Sequence, residues 1–129
     1  MKILIAVLLA VFSTSVMAEW TRVSGSDTDT STAYADLSTI RKSGNKVKMW
    51  VLLDYKVVRT VDGMRYLSMT NQFEYDCKEE TSRILAFLWY SKNMGAGEVV
   101  YTSGAMHEEP RPIPPGSMIE GIFKVACGK

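Results

Sequence analysis

Between residues 46 and 77 the chain alternates apolar and polar side chains twice over, and this period of two constrains the fold more than any other feature. Val47, Met49, Val51, Leu53 and Tyr55 share one side of an extended strand, and Leu67, Met69, Phe73, Tyr75 and Cys77 share one side of another. Successive side chains of a strand point to opposite faces, so this spacing fits a sheet with one packed side. Asn71 is the one misfit on the apolar side. The other side of the first run opens with Lys46 and Lys48 and continues with Trp50 and Leu52, so it is partly covered. The turn signal Asp62-Gly63 lies between the runs, which therefore read as neighbouring strands.

The flanks are less regular. Residues 20–24 and 33–37 are short strand candidates, separated by a polar loop. Residues 38–42 read as a turn or short helical piece, followed by a turn at Gly44-Asn45. Residues 83–90 are apolar on both parities, and periodicity alone cannot assign them to strand or helix. Residues 98–102 form another strand candidate, and the proline-rich run 110–115 is a stiff extended connection. Met118, Ile119, Ile122, Phe123, Ala126 and Cys127 then recur as one stripe of an amphipathic helix that Gly128 ends. The expected fold class is α+β, a single antiparallel sheet of about six strands with a C-terminal helix.

Residues 1–18 place Lys2 ahead of a short apolar run and end in Val16-Met17-Ala18, the pattern of a cleavable signal peptide. A membrane-spanning helix needs about 20 apolar residues, more than this run supplies, and no later segment reaches that length. Cleavage after Ala18 leaves residues 19–129 as one domain. With no cysteine at the cut to accept a lipid, the expected location is the periplasm or the medium. In that oxidising setting the two cysteines, Cys77 and Cys127, read as a disulfide. Free thiols or a metal pair are the alternatives, and one histidine with no CxxC spacing is a poor metal set. Cys77 ends the apolar side of its strand and Cys127 lies on the helix stripe, so a bridge would staple helix to sheet.

Without Lys2 the formal charge is zero, which gives no general attraction to nucleic acid or anionic membranes. The distribution is uneven. Arg41, Lys42, Lys46, Lys48, Lys56, Arg59 and Arg65 face only Asp54 and Asp62 in the same stretch. These seven bases are the candidate partner-binding patch, with lysine protection of a sheet edge as the plainer use.

Catalytic patterns fail on inspection. Ser43-Gly-Asn-Lys46 has the Ser-x-x-Lys spacing of penicillin-recognising enzymes but lacks their partner motifs and sits on a turn. Asp27-Thr-Asp29 opens like a calcium loop, yet Thr32 and Ser38 stand where glycine and glutamate are needed. His107 is the single histidine, and a Cys–His nucleophile would need a free thiol. The scattered methionines fit packing better than copper. The expectation is a non-enzymatic binding protein with no cofactor and no resident metal.

Several short runs, in order, resemble the surface-adhesin protein E family. They are Trp20, Tyr34-Ala-Asp36, Ser38-Thr-Ile-Arg41, Val47-Lys-Met-Trp50-Val-Leu-Leu-Asp-Tyr55, Glu74-Tyr-Asp-Cys77, Tyr90-Ser91, Met94-Gly-Ala-Gly97-Glu-Val-Val100 and Pro115-Gly-Ser117 before the helix. The resemblance implies one antiparallel sheet with a disulfide-tied helix, and it implies that residues 83–90 are a strand. It also implies adhesion to host extracellular-matrix proteins, although the namesake is a lipoprotein and this chain lacks the acceptor cysteine. Two functions follow as expectations. One is an exported adhesin-like module binding a host matrix or envelope protein, with a homodimer among its open assemblies. The alternative is a soluble periplasmic domain that binds a small ligand such as haem beside His107, or an envelope protein.

Overall fold

The computed structural model describes residues 19–23, 30–104 and 108–129. The leader-like segment, the Asp27-Thr-Asp29 loop and His107 lie outside the described residues. Seven strands appear: β1 (Thr21–Arg22), β2 (Ser31–Ser43), β3 (Lys46–Val61), β4 (Met64–Asp76), β5 (Thr81–Tyr90), β6 (Val99–Ser103) and β7 (Arg111–Pro112). One helix, α1 (Met118–Cys127), closes the chain. The first six strands form an antiparallel meander in chain order, and β7 adds to β5. Residues 83–90, undecided by periodicity, are strand.

The alternation of β3 translates directly into packing, whereas in β4 it holds only around Tyr75. Leu67, Met69 and Phe73 are half-buried, and Tyr66, Ser68 and Thr70 of the opposite side are buried, because a 3-10 turn and neighbouring aromatic rings cover that side. Val47, Met49 and Val51 pair with Tyr75, Phe73 and Asn71, which puts their side chains on one side of the sheet. That side carries the core, made of these valines, Met49 and Tyr75 with Ala33 and Ala35 of β2 and Ile122, Phe123 and Ala126 of α1. The small side chains of Ala33 and Ala35, both fully buried, let the helix lie close over β2. Asn71 is buried on this apolar side despite its amide.

The helix begins on its own chemistry. Ser117 Oγ accepts from Glu120 N at 3.1 Å, the side-chain cap that marks a helix start. Gly128 adopts the left-handed conformation at φ 68° and ends it. Ile122, Phe123 and Ala126 are buried along the stripe, while Ile119, at its edge, is 37% exposed. The Cys77–Cys127 disulfide joins the end of β4 to the end of α1, with the Cα atoms 5.7 Å apart.

Two departures from the sequence reading have local causes. Residues 38–42 are not a separate turn or helical piece; β2 runs through them with a register shift between Asp36 and Arg41. Side chains replace the ladder there. Thr39 Oγ1 accepts from Trp50 N at 2.9 Å, and Asp36 Oδ1 accepts from Ser38 N at 3.1 Å. The proline-rich connection is extended as expected, but Arg111 and Pro112 also pair with Ser82 and Thr81.

The helix-free side has its own partial cover at one end. A single 3-10 turn (Asn93–Gly95) folds against β3 and β4. Asp54 Oδ1 accepts from Met94 N at 2.8 Å and Asn93 Nδ2 at 3.1 Å. Gly95 N donates to Ser68 Oγ at 2.9 Å, and Leu52 beneath is fully buried. Asp54, an isolated acid in the basic stretch, is therefore a loop anchor.

Candidate functional site

The β2–β3 hairpin turns at Gly44, whose φ of 60° suits glycine, and Asn45. Antiparallel pairing then sets Arg41 opposite Lys48 and Ser43 opposite Lys46. Lys48 and Lys46 in turn lie opposite Glu74 and Asp76 of β4. The hairpin end is held in place because Asn45 O accepts from Cys77 N at 2.8 Å, next to the disulfide. The result is a concavity of about 260 Å³ lined by Arg41, Lys42, Ser43, Lys46, Lys48 and Glu74.

Its charge balance is one-sided. Glu74 Oε1 accepts from Arg83 Nη2 at 2.7 Å and Arg83 Nε at 2.9 Å, while Lys46 Nζ stands farther off at 3.9 Å. Arg83 thus neutralises the one acid in the wall, and four bases remain around the hollow. Arg41 Nη1 donates to the carbonyls of Ser38 and Ile40 at 3.0 and 2.9 Å, which fixes the guanidinium without consuming its charge. The arrangement can hold an anionic group through several cations at once.

The structure brings together four of the seven candidate bases. Lys56, Arg59 and Arg65 lie at the other end of the long β3–β4 hairpin, where Arg59 pairs with Tyr66 and Arg65 with Thr60. Eleven residues of strand separate Lys48 from Arg59, roughly 35 Å at the rise of a strand. Arg59 is spent on packing, its guanidinium 4.4 Å from the Tyr55 ring centroid. Burial, and then the neighbouring Tyr66, raise the Tyr55 phenol above its ordinary pKa, against a smaller lowering by Arg59. Asp76, the last residue of β4, caps the turn that follows: its Oδ1 accepts from Lys78 N and Glu79 N, both at 3.0 Å.

Sequence reasoning missed the aromatic content of the sheet. Tyr66 stacks on Trp89 at 4.4 Å between centroids, and Trp89 and Phe87 both contact the ring of Tyr101. On the helix-free side, Trp20, Trp50 and Tyr90 converge on a second cleft of about 290 Å³. These three residues come from distant points of the chain, so no spacing in the sequence could announce them. Among the described residues no cluster of three or more His, Cys, Asp or Glu could hold a metal, and no helix is long and apolar enough to cross a membrane.

Fold and site together define a class: small disulfide-stapled α+β domains with one meandering sheet, a single helix on one side and an open opposite side. The model of the surface-adhesin protein E family matches residues 20–128, and the chain belongs to that family. No curated protein matches it. Among solved structures, crystal form II of Haemophilus influenzae protein E aligns with a TM-score of 0.63 at 12% identity, covering 89% of this chain and 91% of that one. The selenomethionine form of the same protein aligns at 0.62 and 11%, covering 89% and 90%. A third, protein E from non-typeable Haemophilus influenzae, aligns at 0.55 and 13%, covering 89% and 79%. At such identities the likeness shows the fold.

Proposed function

We propose that this chain is an exported, non-enzymatic, adhesin-like module that binds an acidic protein segment through the basic concavity of the β2–β3 hairpin. The observation that carries the reading is the gathering of Arg41, Lys42, Lys46 and Lys48 around one hollow whose single acid is already engaged by Arg83. The family supports adhesion, and host extracellular-matrix proteins are the partner class that family membership suggests. Export through a leader cut after Ala18 supplies the oxidising compartment that the disulfide requires.

Lysine as edge protection accounts for only part of this cluster: Arg41 and Lys42 lie on β2 beyond its pairing with β1. β3 is paired on both sides, by β2 and β4, so Lys46 and Lys48 guard no edge. The haem alternative turned on His107, outside the described residues, and no geometry bears on it.

Changing Lys42, Lys46 and Lys48 together to Gln tests the reading. Binding to immobilised matrix proteins should weaken several-fold, mainly through the association rate. The wild-type rate should fall with added salt because exposed charges are screened beyond about 8 Å at physiological ionic strength. Unchanged capture by a folded triple variant would remove the hairpin from the function. Intact mass of the exported protein should correspond to a chain beginning at Glu19.

A further inference from the structure

We propose that the cleft between Trp20, Trp50 and Tyr90 is a binding site for an organic ammonium group, held against aromatic faces and the carboxylate of Asp36. The site stands apart from the hairpin concavity and does not depend on its function. It lies on the helix-free side, where Asp36 and Trp50 are cross-strand partners on β2 and β3. Thr70 of β4 and Leu88 of β5 pair beside them and line the same cleft.

Two features select the ligand. The first is charge. Asp36 is the one charged residue of the lining, and it is 5% exposed. Its Oδ1 accepts from Ser38 N and Oγ, and no lysine or arginine lines this cleft, so the carboxylate is met there by hydrogen bonds and by no cation of the lining. The bases of the hairpin line the neighbouring concavity instead, where they are separately exposed to screening.

The second feature is the state of the hydroxyls. Thr39 Oγ1 donates to Asp36 O at 2.6 Å and accepts from Trp50 N. Thr70 Oγ1 and the Tyr90 hydroxyl lie 3.4 Å apart and engage each other. Ser38 N and Oγ both bind Asp36 Oδ1. Each of these hydroxyls already makes at least one bond within the protein, which leaves fewer directional groups for a sugar or other polyhydroxyl ligand. What the cleft still offers is aromatic surface and a negative charge, the combination that attracts alkylated ammonium groups. Such a group could belong to a free quaternary amine or to a lysine side chain of a bound protein.

The disulfide-bonded full chain can be titrated with choline and with its uncharged tert-butyl isostere. A parallel arm uses N-acetyl-lysine methylamide against the norleucine analogue. The indole N–H resonances of Trp20 and Trp50 report occupancy separately from Trp89. A charged ligand should shift both saturably, with its neutral counterpart about tenfold weaker or more. Asp36→Asn keeps an acceptor for Ser38 and should weaken the cation about tenfold while leaving the isostere unaffected. Trp20→Leu, at a residue outside every strand, is the second variant and should cost the cation more than the isostere. Response to choline alone assigns a small amine, response to the lysine derivative assigns a partner side chain, and either supports the site. Equal binding of charged and neutral ligands overturns it. So does an Asp36→Asn variant that binds as well as wild type, a shift with N-acetylglucosamine in place of the cations, or no shift with any of them.

Discussion

Tyr75 lies at the centre of the core, fully buried between Phe73 and Phe123, with ring centroids 5.6 and 6.1 Å away. Its hydroxyl has no hydrogen-bond partner among the described residues. An unpaired buried hydroxyl is a cost, so Tyr75→Phe should keep or raise stability, by about 1 kcal/mol, as read by denaturant melting. The same burial drives its phenol far above the ordinary value of 10.0. The folded state therefore holds the proton more tightly than the unfolded state. Stability from this group is intact below 10 and is lost as pH rises above it, by up to about 1.4 kcal/mol per unit. Tyr75→Phe should accordingly flatten the alkaline limb of a stability–pH curve. An identical limb in both proteins would show that the phenol ionises normally in the fold. The alternation of β4 already placed Tyr75 on the packed side; nothing in it revealed that the hydroxyl would lack a partner.

Elements differ in how they are held. Strand β3 is paired on both flanks over most of its length, whereas the 3-10 turn after β5 hangs on a few side chains: Asp54, Ser68 and Ser91. Gly97 closes that turn at φ 79°, and a Cβ there would run into Ser91 Oγ and the Lys92 side chain. Gly97→Ala should destabilise the protein by about 1–3 kcal/mol through the strained backbone and the clash. Amide exchange of Met94 and Gly95 should accelerate well beyond that of β3, since their donors to Asp54 and Ser68 would be released. Uniform acceleration across the sheet would show that the turn and the sheet open together. The burial of Leu52 beneath this turn depends on a register set by β3, β4 and β5.

For the whole molecule, the disulfide closes a separation of 50 residues between the sheet and the helix. Lys129 Nζ adds a hydrogen bond to Cys77 O at 3.0 Å. Cys127→Ser should lower stability by about 2–5 kcal/mol in chemical denaturation. Because α1 contributes Ile122, Phe123 and Ala126 to the common core, that loss should appear as one cooperative transition at lower denaturant. A helix that melts ahead of an otherwise unchanged sheet would show that the staple holds an independent part.

The local elements follow from patterns within single segments of the chain. A period of two specifies the packed side of β3 and places Tyr75 of β4 on it, but it did not show that Tyr66, Ser68 and Thr70 on the other side of β4 would also be buried. A 3.6-residue stripe between Ser117 and Gly128 specifies the helix, its start and its stop. These signals are local because they report the backbone repeat of one segment. The cysteine pair was equally legible, since its two placements already pointed to the same interior. Tertiary structure alone decided which distant residues meet. It collected Arg41, Lys42, Lys46 and Lys48 at one hairpin end and left Arg59 roughly 35 Å away along β3, with Arg65 on β4 at the same far end. It drew Trp20, Asp36, Trp50 and Tyr90 to one cleft. The physical reason is that strand register fixes such neighbours. Register here arises from the summed burial of the packed side, the bulge in β2 and the helix stapled over it, none of which belongs to any single segment.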